Sequence, residues 1–485
     1  MNNIRERVRR ILKGLNKGVI ERERELQSVF LTAMAGESIF LLGKPGVAKS
    51  LLARRLKDAF RENAVSFEYL MNRFSTPDEI FGPVDIQKLK DYSEYERKTE
   101  GYLPNADVVF LDEIWKAGPS IQNTLLTIIN EKIYRNGKDV KKVPMKALIS
   151  ASNELPAENE GLEALWDRFL VRLVVSGIKK KNLFHKMLVD DLDTAESVPV
   201  EDKISNEEYE SWSKQINGIE VPENVLDVID GIRAKINEFN KLQSEKQNQN
   251  QGQEQDIPQI YISDRRWRKI VHLLRTSAFL NDRSEVDLTD CFLIKDCLWD
   301  KEEQINRVEE IVSGVIENIS NKPPKELADI NSRIKQFASE FAPKRNVLRN
   351  SSSVPVQWNN NRQEYSTQAG SNSCSNALIA AMLRKKASAP VPRPQATPAS
   401  PETNSEDSNS LQNRMRQRKK EQLESELTTL LEKAKLYKEK LNDSMNENLF
   451  VSHNSVMDKI KENLDLPIRE IMKSQTDFER ITQGM

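Results

Sequence analysis

The chain has 485 residues, and its 73 basic and 74 acidic residues leave a formal net charge of −1 at pH 7. That length predicts about two to four domains, and the neutral balance excludes a global field that attracts nucleic acid or an acidic membrane. The three cysteines and three histidines are scattered, which excludes a disulfide framework and a histidine metal site. Because no leader core and no run of about 18 apolar residues occurs, we expect a cytoplasmic protein without a membrane span.

Residues 1–195 alternate between helical and strand patterns. Apolar residues at helical spacing first predict an amphipathic helix from residue 4 to residue 19. Predicted strands follow at residues 39–42, 64–70, 108–111, 147–151 and 169–175. Asn136 and Gly137 predict the turn of a β-hairpin just before the fourth of these strands. The alternation predicts an α/β fold with a doubly wound sheet.

The most informative segment directly follows the first predicted strand. Its residues are Gly43, Lys44, Pro45, Gly46, Val47, Ala48, Lys49, Ser50 and Leu51. A Gly/Pro-rich turn between a strand and a helix exposes N–H groups to phosphate, and the helix N-terminus favours anions. Lys49 is predicted to hold the β- and γ-phosphates of ATP or the β-phosphate of ADP, and Ser50 to bind Mg²⁺. Ala48 replaces the second glycine of the usual pattern, so this loop alone leaves nucleotide binding open.

An acidic pair follows the third predicted strand. Four apolar residues at 108–111 lead into Asp112 and Glu113, and ligands of α/β folds bind at the carboxyl ends of parallel strands. Asp112 is predicted to help hold Mg²⁺ through water, and Glu113 to polarise the attacking water. Either carboxylate alone would fit an ordinary strand end. Together with the phosphate loop, the pair predicts a site that hydrolyses ATP.

The pattern becomes helical beyond residue 195. Residues 243–257 are polar without an apolar face and predict a disordered loop. Residues 346–410 are rich in Ser, Asn, Pro and Gln and predict a flexible linker. Further on, apolar residues alternate spacings of four and three, which fits either a helix of a small bundle or a coiled coil. They are Leu423, Leu427, Leu430, Ala434, Tyr437 and Leu441. A second late helix, predicted from residue 456 to residue 472, could pack against this one.

Four segments resemble the MoxR branch of the AAA+ ATPases. They are residues 43–50, 110–117, 151–156 and 165–169. Ala48 is normal in that branch. Residues 67–71, 74–77 and 263–267 are similar, more narrowly, to the RavA-like regulatory ATPases within it.

The resemblance implies an AAA+ doubly wound parallel-sheet ATPase core with an all-α lid. A C-terminal helical bundle or coiled coil, interrupted by a disordered segment, would follow. The predicted domains are the core at 1–195, the lid at 196–300, a discontinuous helical domain at 301–345 plus 411–485, and the linker at 346–410.

The resemblance also implies roles for three further residues. Asn153 matches the sensor-1 position, whose amide orients water near the γ-phosphate. Arg168 matches the arginine finger, which enters the neighbouring subunit's site and can contribute on the order of 10³ to 10⁵ in rate. Arg265 matches sensor 2, which reaches from the lid to the phosphates. Arg266 competes for this role, and spacing alone does not choose between them.

A finger supplied in trans implies a homo-hexamer. The resemblance implies a partner with a von Willebrand factor A domain. A lysine decarboxylase is a doubtful partner, because residues 346–410 have a linker composition and not that of a folded insertion. Residues 82–100 and 138–142 are candidate surfaces for contact with a client, although both are charged enough to be solvated loops.

Three functions fit these observations. They are an ATP-driven remodelling or chaperone-like enzyme, a nucleotide-gated scaffold with little turnover, and a nucleic-acid motor. The intact Asp112, Glu113, Asn153 and Arg168 favour the enzyme over the scaffold. The neutral charge and the lack of a recognisable nucleic-acid module argue against the motor, so no nucleic-acid partner is expected.

Overall fold

A computed structural model describes residues 3–61, 64–158, 160–189, 198–248, 257–341 and 405–483. The chain forms two compact units. The first comprises Met1–Leu327 with Thr429–Lys473, and the second comprises Ala328–Thr428 with Ser474–Met485.

The strands that the structure describes all belong to the first unit. They are β1 Ser38–Leu42, β2 Ser66–Leu70, β3 Val108–Asp112, β4 Ile133–Asn136, β5 Asp139–Lys142, β6 Ala147–Ser152 and β7 Val171–Val174. Among the described residues, β1, β2, β3, β6 and β7 form a parallel sheet in the order β2-β3-β6-β1-β7. β4 and β5 pair antiparallel as the predicted hairpin, with Gly137 at φ 62° in its turn. The predicted α/β class with a doubly wound parallel sheet is confirmed.

The helices alternate with these strands and then dominate the chain. They are α1 Ile4–Asn16, α2 Glu23–Met34, α3 Lys49–Lys57, α4 Pro77–Phe81, α5 Ile86–Tyr92, α6 Pro119–Glu131, α7 Glu163–Trp166, α8 Lys181–Val189, α9 Asn206–Ile216, α10 Glu223–Asn248, α11 Asp264–Leu280, α12 Gln304–Ser320, α13 Lys325–Phe341, α14 Ser405–Glu447, α15 Ser455–Asn463 and α16 Leu466–Gln483. Short 3₁₀ helices occupy Leu103–Asn105, Ile114–Lys116 and Asp290–Cys297. No helix among the described residues is long and apolar enough to cross a membrane.

The core of the first unit is built on the two central strands. Every residue of β1 and β6 is buried, as expected for strands that helices cover on both faces. Phe40 of β1 lies at the centre of an aromatic cluster, with ring centroids 5.1 Å from Trp115, 5.0 Å from Trp166 and 5.8 Å from Phe169. These rings fix the segments that follow β3 and β6 against the sheet.

The register of the sheet aligns the carboxyl ends of its strands. Asp112 pairs with Ala151, and Leu42 pairs with Ser152. The N–H of Gly43 donates to the Ser152 carbonyl at 3.1 Å. The chain therefore leaves β1, β3 and β6 at one edge of the sheet.

An all-α region follows the sheet within the first unit. Helix α11 packs against α2 and α9, and α10 packs against α12. The Asn448 to Phe450 segment beyond α14 also belongs to this unit, and the Phe450 ring stacks on Phe30 of α2 at 6.5 Å. Helix α12 contacts α15.

Three predicted segments differ from the structure. Helix α10 continues to Asn248, so the predicted loop begins later than residue 243, because Gln, Glu and Lys are good helix formers. Residues 249–256 of that loop and 346–404 of the predicted linker lie outside the described residues, while residues 405–410 begin α14. The predicted late helix from residue 456 to residue 472 is two helices, and Pro467 in the first turn of α16 suits a helix start.

The described part of the second unit is a small helical bundle. Phe337 of α13 packs on Phe478 of α16 with ring centroids 5.5 Å apart. Lys419 of α14 pairs with Glu340 of α13 at 2.6 Å. Leu423 and Leu427 of the predicted apolar seam are buried in this unit, so the bundle alternative describes this end of α14. The predicted domain boundaries stay predictions.

Candidate nucleotide-binding site

The phosphate loop connects β1 to the N-terminus of α3. Gly46 has φ 81° and Ala48 has φ 69°, and such left-handed backbone is strained for a residue with a Cβ atom. The smallest side chain occupies the second position, which reduces that strain. Ala48 is the N-cap of α3 and makes no side-chain capping bond, so the first N–H groups of α3 have no side-chain acceptor there.

Lys49 is the first residue of α3 and is 7% exposed. Its ammonium donates to the Gly43 carbonyl and, at 3.3 Å, to the Lys44 carbonyl. The lysine is therefore held across the loop that it follows. Ser50 lies beside it in the first turn of α3.

Asp112 ends β3 and is half-buried. Burial raises the pKa of the Asp112 carboxyl, while a hydrogen bond from the Glu113 N–H and the positive charge of Lys49 lower it. The carboxylate thus lies within electrostatic reach of the phosphate-loop lysine and lacks full compensation for its burial. A divalent cation beside it would supply that compensation.

Glu113 has φ 52°, a left-handed conformation that turns the chain sharply out of β3. Its Oε2 atom accepts a hydrogen bond from the Ser152 hydroxyl at 3.2 Å and pairs with the Lys116 ammonium at 3.2 Å. Ser152 is the last residue of β6 and is fully buried, and the exposed Asn153 follows it directly. The sheet edge thus brings together Lys49, Asp112, Glu113 and the end of β6.

The Arg22 side chain holds the phosphate loop through hydrogen bonds to backbone carbonyls. This side chain is only 4% exposed and donates to the Val47 carbonyl at 3.3 Å, to the Glu21 carbonyl at 2.5 Å and to the Ser176 carbonyl. Val47 belongs to the loop, and Ser176 follows β7. The loop is therefore tied to the segment that leaves the neighbouring strand.

Arg168 and Arg265 meet at one carboxylate, that of Asp167. The Oδ2 atom of Asp167 lies 3.2 Å from Arg168 and 2.6 Å from Arg265. The Oδ1 atom forms an ion pair with Arg266 at 3.2 Å and accepts from the Ser263 hydroxyl at 3.4 Å. Asp167 and Arg168 follow α7 of the sheet region, whereas Ser263 caps α11. One carboxylate thus joins the sheet region to the helical region.

A second carboxylate extends this cluster inward. Asp300 pairs with the fully buried Arg172 of β7 and, at 3.4 Å, with Arg266. Arg172 also donates to the Trp166 carbonyl at 3.0 Å, and its guanidinium lies 3.8 Å from the centre of the Trp166 ring. Burial, followed by the charge of Arg266, lowers the pKa of Arg172 to about 9. The described contacts place four guanidinium groups around two carboxylates.

Exposure separates the two candidate sensor arginines. The Arg266 side chain is 3% exposed and contacts both carboxylates, whereas the Arg265 side chain is 46% exposed and contacts Asp167. No hydrogen bond or ion pair in the described part of the chain joins Arg168 or Arg265 to the phosphate loop. The predicted site residues thus form two groups, one at the sheet edge and one around Asp167.

The residues present fit a nucleotide phosphate with a divalent cation. The uncapped N-terminus of α3 and the Lys49 ammonium suit phosphate oxygens. The Ser50 hydroxyl and the incompletely compensated Asp112 carboxylate are oxygen ligands of the kind that Mg²⁺ takes.

Sequence reasoning missed Arg22, Ser152, Asp167 and Arg172 as parts of the site. Arg172 carried a signal, because it is the single charge within the apolar run at 169–175 and a buried charge needs partners. The other three were missed because, apart from Arg168 next to Asp167, the partners that place them at the site are distant in the sequence.

The sheet, phosphate loop, acidic pair and helical region together define the class of P-loop nucleotide-binding proteins. Residues 6–212 match a family model described as the MoxR domain in the MoxR-vWA-beta-propeller ternary systems, and residues 224–312 match the AAA lid domain.

Two known proteins resemble the chain over more than half of its length, and a third resembles about a third of it. An uncharacterised protein of Methanocaldococcus jannaschii is 39% identical over 70% of this chain and 82% of its own. A second from the same organism is 38% identical over 62% of this chain and 73% of its own. A structural protein of Acidianus two-tailed virus is 36% identical over 36% of this chain and 28% of its own.

A crystal structure of a candidate ATPase from Cytophaga hutchinsonii supports the fold. It aligns with a TM-score of 0.50 at 17% identity and covers 64% of this chain and 94% of its own. The chain belongs to the MoxR family of AAA+ ATPases. The narrower resemblance to the RavA-like ATPases stays a prediction.

Proposed function

We propose that this protein hydrolyses ATP with Mg²⁺ at the carboxyl edge of its parallel sheet. The observation that carries the proposal is the meeting of the phosphate loop, the Asp112 and Glu113 pair and the end of β6 at that edge. A phosphate-binding lysine, a carboxylate for the cation and a second carboxylate for the attacking water are the parts that phosphoryl transfer to water requires.

Each residue of the sheet edge has one role in this proposal. The backbone of Gly43–Leu51 surrounds the phosphates, and Lys49 neutralises their β and γ oxygens. Glu113, oriented by the Ser152 hydroxyl, accepts the hydrogen bond of the attacking water. Asn153 orients the same water through its amide without adding charge.

Ser50 and Asp112 would hold the Mg²⁺ ion, Asp112 through water. When bound, that ion neutralises charge that develops on the phosphate oxygens. The rise of the Asp112 pKa with burial means that the carboxylate gains from a nearby cation.

Arg168 is proposed to act on the site of a neighbouring subunit. It contacts Asp167 and no residue of its own phosphate loop in the described structure, so its chemistry needs another chain. A finger supplied in this way supports a closed homo-hexamer. Arg265, the exposed arginine of its pair, is proposed as the sensor that reaches the phosphates from the helical region.

The hydrolysis cycle is proposed to remodel or mature a partner protein, as a chaperone-like activity. The two predicted client segments are joined, because the Lys138 ammonium pairs with the Glu94 carboxylate at 3.2 Å. The buried Asn136 side chain of β4, just before the hairpin turn, also accepts from the Arg97 N–H at 2.7 Å and donates to the Arg97 carbonyl at 3.0 Å. These segments expose Ile86, Tyr92 and Val140. Exposed apolar side chains suit contact with protein.

A protein with a von Willebrand factor A domain is the proposed partner. The description of the matching MoxR model, which places that domain in ternary systems with vWA and β-propeller components, supports this choice.

The first experiment is steady-state Mg²⁺-ATP hydrolysis by the wild-type protein beside Glu113→Gln. We expect measurable turnover that the variant loses while it retains bound ATP, because the water is no longer polarised but the phosphate contacts persist. Lys49→Ala is the matched control and should lose ATP binding as well. Tight ATP binding without turnover in the wild type would favour the nucleotide-gated scaffold.

A further inference from the structure

The Asp167 carboxylate has two oxygens in different situations. Oδ1 is shared by the buried Arg266 at 3.2 Å and the Ser263 hydroxyl at 3.4 Å. Oδ2 is shared by Arg168 at 3.2 Å and Arg265 at 2.6 Å. The first oxygen fixes the carboxylate to the start of α11. The Oδ2 atom is shared by Arg168 and Arg265, the two arginines that the proposed function places at nucleotide phosphates.

Arg168 and Arg265 do not contact Oδ2 equally, and one of them can be drawn away. Arg265 makes the shorter contact, and its side chain is 46% exposed, so it can leave for another anion. Arg168 is 14% exposed, and its Nε atom is buried without a hydrogen-bond partner among the described residues. Arg168 is thus held weakly while Arg265 occupies Oδ2.

The charge of the cluster favours such an exchange. Four guanidinium groups surround two carboxylates, so two positive charges are in excess. Burial and the neighbouring Arg265 lower the pKa of Arg168, which is the sign expected where cations crowd one another. A phosphate that draws Arg265 away relieves this repulsion.

We propose that Asp167 is a positioning residue that couples the subunit's own nucleotide to the arginine finger that it offers its neighbour. When Arg265 exchanges Asp167 for a phosphate, Oδ2 pairs with Arg168 alone. That pairing orients the guanidinium, whose remaining N–H groups face the next subunit's site. The proposal rests on the proposed function, because it takes Arg168 as the finger and Arg265 as the sensor.

Mixed rings test the proposal. Arg168→Ala subunits keep a hydrolytic site but lack the finger, and Glu113→Gln subunits keep the finger and bound ATP but cannot hydrolyse it. Mixing the two should restore turnover, since each supplies what the other lacks. If this simple mixture stays inactive, the proposed finger in trans fails, whatever Asp167 does.

The decisive donor carries Glu113→Gln with Asp167→Asn. We expect it to restore at least tenfold less turnover than the simple Glu113→Gln donor, because Arg168 has lost its orienting oxygen. A donor with Glu113→Gln and Glu163→Gln is the matched control, since Glu163 is an exposed carboxylate at the start of α7, the helix that Asp167 follows, and makes no ion pair in the described part of the chain. It should restore turnover as the simple donor does. Equal turnover from the Asp167→Asn donor and the simple donor would overturn the proposal.

A second measurement separates positioning from folding. In otherwise wild-type protein, Asp167→Asn should lower kcat tenfold or more while nucleotide affinity rises severalfold, because Arg265 no longer has to leave a carboxylate. Asp167→Glu should recover part of kcat, since it restores the charge. Loss of kcat together with weaker binding in both variants would make Asp167 a structural residue and overturn the proposal.

Discussion

Ser152 and Ser150 lie on the same strand, are both fully buried, and differ in what their hydroxyl groups contact. The Ser152 hydroxyl donates to Glu113 at 3.2 Å, whereas the Ser150 hydroxyl has no hydrogen-bond partner among the described residues. We predict that Ser152→Ala lowers kcat about tenfold, a loss of about 1.4 kcal/mol, because Glu113 loses the donor that orients it. Steady-state hydrolysis with a parallel measurement of ATP affinity, expected unchanged, checks this.

Ser150→Ala is the control for that prediction. Removing an unpaired buried hydroxyl costs no hydrogen bond, so the variant should hydrolyse ATP as the wild type does and be equally or more stable. If the two variants lose the same activity, the effect belongs to the packing of β6 and not to Glu113.

Lys132 is a buried cation without a hydrogen-bonded partner among the described residues, although Glu37 lies within electrostatic reach. Burial lowers its pKa from 10.5 to about 8. Between these two values the unfolded chain binds the proton and the folded chain does not, so the free energy of unfolding should rise with pH across that interval. We predict that Lys132→Met stabilises the protein at pH 7 by on the order of 2 to 3 kcal/mol.

The measurement is chemical denaturation of both proteins at pH 7.5 and pH 9.5. The stability difference between variant and wild type should shrink at the higher pH, because the wild-type lysine is then neutral when folded. Lys138→Met, at a side chain that is 85% exposed, should leave stability unchanged at both values. A difference that does not vary with pH would mean that the Lys132 charge is not the cause.

Single residues could be predicted where their chemistry is local in the sequence. Lys49, Ser50, Asp112 and Glu113 stand within or beside an apolar run and a glycine-rich turn, and the structure places them at one sheet edge. Ser152 and Asp167 could not be predicted, because their partners lie up to about a hundred residues away in the chain. The choice between Arg265 and Arg266 needed exposure, which only the fold provides.

At the scale of elements, the Asn448 amide is one of the groups that hold the end of α14 to the helical region of the first unit. The Asn448 side chain donates to Thr289 at 3.0 Å and to Asp290 at 3.3 Å, and its Oδ1 atom accepts from the Phe450 N–H at 3.0 Å. Because Phe450 is only 4% exposed, loss of this side chain leaves the Phe450 N–H without its acceptor. We predict that Asn448→Ala destabilises the first unit by roughly 1 to 3 kcal/mol.

Amide hydrogen exchange and thermal unfolding check this prediction. Exchange should accelerate in residues 441–464, whereas the strands of the sheet keep their protection. Asn446→Ala is the control, since its side chain is exposed and bonded only to Lys461 in the described structure, at 2.7 Å. That variant should change stability by less than about 0.5 kcal/mol. Unchanged exchange in Asn448→Ala would show that Phe450 and its neighbours suffice to hold the segment.

The elements of the sheet were predicted almost to the residue, and those beyond it were not. Buried parallel strands are short apolar runs bounded by turns, so 108–111 and 147–151 could be read directly. The polar end of α10 carries no apolar period, and its helix continues because the preceding turns propagate it. The two late helices were predicted as one, because a single helical period of apolar residues runs through the break between α15 and α16.

At the scale of the whole molecule, the proposed finger makes catalysis a property of an assembly. Arg168 has no contact with its own phosphate loop in the described structure, so an isolated subunit would lack this group. Removing a finger commonly costs on the order of 10³ or more in rate. We predict that Arg168→Ala abolishes turnover while nucleotide affinity stays near the wild-type value, as equilibrium binding and steady-state hydrolysis would measure.

The same geometry predicts that ATP strengthens the assembly. A phosphate bound between two subunits contacts residues of both, so a ligand that binds only the assembled form shifts the equilibrium towards it. Glu113→Gln with Mg²⁺-ATP should therefore sediment as a species of six subunits at concentrations where the nucleotide-free protein dissociates. Lys49→Ala should show no such shift, and Arg168→Ala should show a weaker one. A protein that stays monomeric in all these conditions would contradict the shared site, because no neighbour would then exist to receive the finger.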